Sequence, residues 1–231
     1  MSRIMSVSRS SVLRSSVLHE LVLALAGIGL VGFLLVHLAG NFFIYGGPEV
    51  FNGYSEKLHG FPVTLWVARI GLIAIFALHV VITTTMWIKN RNTRAQRYAV
   101  TVRRAPKGLG TRTMIITGAL IFVFVGIHLL DFTFADKEGL NSLLNGESQG
   151  LYGVVWNGFA NPVRAAFYIL LMCCVGLHLS HAISSLCITF GAQNERFVAI
   201  ADVTAKIFGA LVAIAYSSIP VYVLVQTYLL G

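Results

Sequence analysis

Charge is the scarcest commodity in this chain. Lys, Arg, Asp and Glu together make up 11% of the 231 residues, against 56% hydrophobic residues and a mean hydropathy of +0.78. A single soluble core cannot hide that much apolar surface, so the composition predicts an integral membrane protein. Cysteine is nearly absent. Cys173, Cys174 and Cys187 are odd in number, fall in one apolar run and lack CxxC or CxxCH spacing. That excludes a disulfide framework, a cysteine-zinc site and covalently attached haem c, and leaves them as small apolar fillers. Acidic residues and lysine are missing from the middle of every apolar run, where a proton-relay transporter would place them beside its histidines. The net charge of +8 would point to nucleic acid in a soluble domain. Here it is confined to a few short connections, the pattern that membrane topology produces, and no nucleic-acid partner is expected.

What the chain does have is long apolar runs. Spans are expected at roughly 20–46, 62–88, 113–134, 162–190 and 205–229, each near the ~20 residues that cross a ~30 Å hydrocarbon core. The runs do not alternate, which excludes a barrel and leaves helix as the form that satisfies its own backbone in lipid. The expected fold is therefore all-α, a single domain over 1–231 with five transmembrane helices in a bundle. Residues 1–16 read as a basic tail on the headgroups, and the first run is too long for a signal peptide. The tail, the second connection and the fourth (Arg196, Lys206) hold 13 of the 17 basic residues. The amino terminus is accordingly expected in the cytoplasm and the carboxyl terminus outside, in a multi-pass protein of a prokaryotic cytoplasmic membrane.

Five of seven histidines fall inside spans: His37, His79, His128, and the pair His178 and His181. An imidazole without a partner in hydrocarbon is costly, so something should use them. At ~1.5 Å per residue from the cytoplasmic ends, His37 and His128 lie about 25 and 22 Å deep, His178 and His79 about 18 and 14 Å. Two outer and two inner histidines, each pair drawn from two helices, suit the two axial ligands of a b-type haem at each level. Four-ligand zinc suits them less, because the depths differ. Gly40, Gly71, Gly126 and Gly176 lie within about two turns of these histidines. They would admit a porphyrin edge or another helix. By depth alone His181 matches His79 slightly better than His178 does.

The segments LLVHLAGN (34–41), PEVFNGYSEKLHG (48–60), ALHVV (77–81), GIHLLD (126–131) and GLHLSHAISSLCITFG (176–191) resemble the cytochrome b membrane anchor of succinate:quinone oxidoreductases. This is the succinate dehydrogenase and fumarate reductase group, in its single-chain, five-helix, two-haem form. The resemblance implies two haem b groups, the outer held by His37 and His128 and the inner by His79 and a histidine of the fourth span. The family's 13-residue interval to the helix-ending glycine, Gly191, assigns that ligand to His178, with His181 the alternative. It also implies an FAD-containing flavoprotein and an iron-sulphur subunit docked on the cytoplasmic face, and a quinone substrate, menaquinone in two-haem members. The chain would then be the electron-transferring subunit of the enzyme, with no dicarboxylate chemistry of its own. Residues 91–112 would help seat the partner or the haem propionates. Asn41, Asn52, Glu56, His59 and Arg69 are candidates for an outer quinone site. His19 reads as an interfacial residue. Some members carry a glutamate two residues before the fourth-span ligand, tied to proton movement; here that position is Gly176, and no such path is expected. The rival readings are a cytochrome b subunit of a hydrogenase or formate dehydrogenase, and a non-redox transporter or structural anchor.

Overall fold

The computed structural model describes residues 9–92, 109–191 and 194–230. Among them, five helices are long and apolar enough to cross a membrane: Leu18–Gly46, Pro62–Lys89, Thr113–Thr133, Pro162–Thr189 and Glu195–Leu230. They belong to α1 (Arg9–Asn41, extended by a 3-10 turn Phe42–Gly46), α3 (Pro62–Asn92), α4 (Leu109–His128, continued by a π turn Leu129–Thr133), α6 (Pro162–Thr189) and α7 (Glu195–Val225, ending in a π turn Gln226–Leu230). Two shorter helices, α2 (Pro48–His59) and α5 (Gly150–Ala160), lie between them.

Three expectations change. The amino-terminal tail is already helical from Arg9, one continuous helix with the first span. The segment after Gly47 is a helix, α2, because Gly47 turns the chain with φ +86 and Pro48 then sits at the first helical position, where its missing N–H costs nothing. The last helix starts ten residues earlier than 205, since the Asn194 side chain accepts from Arg196 N–H at 2.9 Å and caps it. Arg196 and Lys206 therefore lie on α7, where Lys206 pairs with Asp202 one turn away at 2.6 Å. Arg3, Arg94, Arg97, Arg103, Arg104 and Lys107 lie outside the described residues.

α6 is the central helix. Of its apolar window 39% is buried, against 6% for α3. α6 and α7 form the most extensive contact, made possible by glycine on both sides: a Cβ at Gly209 would collide with the Gly176 carbonyl, and one at Gly176 with the Gly209 carbonyl. Ala165 of α6 and Ala205 and Val223 of α7 have no exposed surface. α4 packs on α6, while α3 runs along α1 and touches α2 without extended backbone contact to α4 or α6.

The face where α1, α4 and α7 end is closed by a cap. It consists of α2, α5 and a two-residue hairpin, Leu143–Leu144 against Glu147–Ser148, turned by Asn145 and Gly146 at positive φ. Most of α5 is buried. Asn52 staples α2 to it, donating to the Gln149 carbonyl at 2.9 Å and accepting from Tyr152 N–H at 3.1 Å. Asn157 donates to the carbonyls of Asn141 and Leu143, and Tyr228 of α7 donates to the Ala160 carbonyl. Burial and the neighbouring Tyr222 push the Tyr152 phenol up to about 12.

Candidate functional site

The intramembrane histidines meet in twos. Near the capped face, His37 of α1 and His128 at the end of α4 have ring centres 5.8 Å apart. Deeper in the bundle, His79 of α3 and His178 of α6 have ring centres 6.5 Å apart. A metal–imidazole bond is about 2 Å, so two rings on opposite sides of one metal have centres about 6 Å apart. Both pairs are close to that separation. Among the described residues no three His, Cys, Asp or Glu side chains converge as a metal-holding group, so each level offers two donors.

The surroundings of each ring differ. His37 stacks on Phe33 one turn earlier, at 5.3 Å and 16°, and lies 6.3 Å from the Tyr216 ring, whose hydroxyl donates to the Leu34 carbonyl at 2.6 Å. His128 is enclosed by Phe124, Phe132 and Tyr168 at 5.4–6.4 Å. Its Nδ1 is buried without a hydrogen-bond partner, and so is Nδ1 of His79. A buried ring nitrogen without a hydrogen-bond partner is costly.

His178 is held in a definite tautomer. The Thr117 hydroxyl has one proton, shared between the Thr113 and Met114 carbonyls at 3.1 Å each. Its lone pair faces His178 Nδ1 at 3.2 Å. With the hydroxyl proton on those carbonyls, Nδ1 donates to the Thr117 oxygen and Nε2 keeps a lone pair for a metal. Gly118, the next residue, gives the ring room: a Cβ there would sit 3.4 Å from its Cε1.

The space for a flat cofactor follows from the backbone. α3 presents His79 toward His178 and Phe76 toward Phe122, whose rings stack at 6.0 Å and 7°, yet it has no extended backbone contact with α4 or α6. Gly71 and Gly126 face open space within 4 Å of where a Cβ would stand. Gly40 instead admits the Tyr54 ring of α2, and Gly176 admits α7. Two imidazoles at each level, with open space at Gly71 and Gly126, are a donor set that fits a haem at each level.

Comparison with protein-family models, with curated proteins and with solved structures finds no match for this chain.

The remaining expected residues do not gather at one point. Asn41 donates to the His37 carbonyl at 2.7 Å, one turn beyond that histidine. Asn52 spends both its amide atoms on the cap. Glu56 and His59 are exposed on α2, the latter donating from Nδ1 to the Ser55 carbonyl at 2.8 Å. Arg69 lies over the Trp66 ring at 5.4 Å. Among the described residues no hydrogen bond or ion pair joins any two of these five. His181 is half-buried one turn beyond His178, on the side away from the cap. Arg91 lies over the Trp87 ring at 5.4 Å; the rest of the 91–112 basic stretch has no described side chain. His19 is half-buried near the start of the first span.

Sequence reasoning passed over Thr117, Tyr168, Asp131 and Arg164. Asp131 ends the segment GIHLLD, three residues past a ligand candidate. Thr117 precedes His128 by eleven residues on the same helix and serves a different histidine, which no spacing rule reveals.

Proposed function

We propose that this chain is the dihaem cytochrome b membrane anchor of a succinate dehydrogenase or fumarate reductase complex. It passes electrons between an iron-sulphur subunit and membrane quinone, menaquinone in the two-haem form. The observation that carries the reading is the pair of two-imidazole sites at two levels of one bundle, each drawn from two helices. His37 and His128 hold the outer haem, His79 and His178 the inner. When bound, haem b supplies a one-electron carrier at each level.

The chain's own residues do the rest. Thr117 presents His178 with Nε2 free. Phe33, Phe124, Phe132 and Tyr168 pack the outer pair and exclude water. The buried helix α5 covers the end of the bundle nearest that pair, so quinone reaches it from the lipid side. Position 176 is glycine, and a Cβ there would collide with the Gly209 carbonyl. The basic amino-terminal side faces the cytoplasm of a prokaryotic cell, where the iron-sulphur subunit and its FAD-containing flavoprotein dock.

A pyridine haemochrome assay on purified protein, with reduced-minus-oxidised spectra, tests the reading. Two haem b per chain are expected; less than one in fully loaded preparations would overturn it. His178→Ala should remove the inner haem and spare the outer. The same result from His181→Ala, with His178→Ala silent, would reassign the ligand. Co-purification of a flavoprotein and an iron-sulphur protein, instead of a hydrogenase or formate dehydrogenase subunit, identifies the complex.

A further inference from the structure

We propose that Asp131 and Arg164 form an opposed pair of charges that sets the redox potential of the outer haem. The inference rests on the dihaem reading above. Asp131 stands three residues beyond His128, on the π turn that continues α4, which puts its carboxylate on the order of 10 Å or less from a metal held by that ring. Its side chain is only 14% exposed, and it accepts a hydrogen bond from the Tyr168 hydroxyl at 2.7 Å. Tyr168 is itself buried, and its ring packs against His128 at 6.4 Å and against Phe124, Phe132 and Phe159. The carboxylate is thus anchored to the apolar wall of the outer pair.

The counter-charge is placed differently. Arg164, in the first turn of α6, is 3.6 Å from Asp131 and 48% exposed. Water screens the guanidinium more than the carboxylate, so the pair leaves a net negative field directed at His128. Oxidation of an iron held there removes one electron and adds one positive charge. The carboxylate stabilises that state and lowers the midpoint potential; the arginine opposes it. A purely structural tie between α4 and α6 would give the two residues like effects on stability and none on potential.

The test is a spectroelectrochemical titration of the haem-loaded protein in detergent, with the outer haem identified as the one missing from His37→Ala. Asp131→Asn should raise the outer midpoint and Arg164→Gln should lower it, with the inner midpoint unchanged in both. The inference is overturned if both variants load and the outer midpoint stays where it was, if the two shifts share a sign, or if both haems move equally. Should Asp131→Asn lose the outer haem, Arg164→Gln decides alone, since an exposed side chain can be replaced without emptying the site. A wild-type protein without haem b would overturn the dihaem reading itself, a result distinct from a loaded protein whose midpoint does not respond.

Discussion

Thr117 contributes one hydroxyl, and the direction of its proton decides which nitrogen of His178 is free. Replacing it with Val keeps the volume and removes the acceptor, so the imidazole loses what fixes its tautomer and angle. Loss of such an outer partner typically costs a metal site about 10–100-fold in affinity. Thr117→Val is therefore expected to release the inner haem at that ratio more readily in competition with apomyoglobin, with the outer haem retained at wild-type affinity. Equal release of both haems would show that Thr117 acts on the fold instead. At this scale the sequence marked the histidines and not their supports. A histidine in an apolar run stands out because its burial is costly, whereas a threonine in a membrane helix is ordinary until its neighbour across the bundle is known.

At the scale of elements, the α6–α7 seam and the cap make separate claims. The seam depends on two backbones in contact at Gly176 and Gly209. Gly209→Ala inserts a methyl where a carbonyl already lies, and overpacking of this kind costs about 1–3 kcal/mol. The expected result is a lower Tm in detergent, read by loss of helical circular dichroism, with Gly71→Ala as a mild control because open space surrounds that position. The cap depends on Asn52, whose two bonds hold α2 to α5. Asn52→Ala leaves the Gln149 carbonyl and the Tyr152 N–H without that partner, a cost of about 1–3 kcal/mol. Faster hydrogen exchange across 148–160, with the inner-haem spectrum unchanged, would show that the cap opens as a unit. A quinone defect without faster exchange would instead return Asn52 to the quinone site.

At the scale of the whole molecule, α3 is the helix with most to gain from a cofactor. It carries His79 yet its extended contacts among the described residues are with α1 and α2, with 6% of its apolar window buried. A group bridging His79 and His178 binds the folded bundle and stabilises it by mass action. Protein made under haem starvation should therefore unfold at a lower temperature than loaded protein, with the largest gain in hydrogen exchange along 62–89. Five membrane-crossing helices among the described residues also put the start of the first and the end of the last on opposite sides. A carboxyl-terminal alkaline phosphatase fusion should be active and a carboxyl-terminal fluorescent-protein fusion dark if the amino terminus is cytoplasmic; the reverse pattern would invert the orientation.

The sequence by itself determined the class, the number of spans and their positions to within a few residues, except at the start of α7. Long uncharged runs have one physical outcome in lipid, and hydropathy is a local property of the chain. It also singled out five intramembrane histidines and set His37 and His128 at one level, because depth along a straight helix follows from residue count; between His178 and His181 as the ring facing His79, depth alone leaned to His181, whereas the rings that meet are His79 and His178. Tertiary structure decided what residue count cannot. Asn194 and Gly47 moved helix boundaries through local capping and turn geometry, and the segment 48–60 became a helix fastened by an asparagine 97 positions from its acceptor. Thr117 reached His178 across 61 residues, and Tyr168 reached Asp131 across 37. Such contacts depend on which helix faces which and on the direction of a single side chain, and both are settled only when the glycine seam between α6 and α7 and the packing of α4 on α6 bring the helices together.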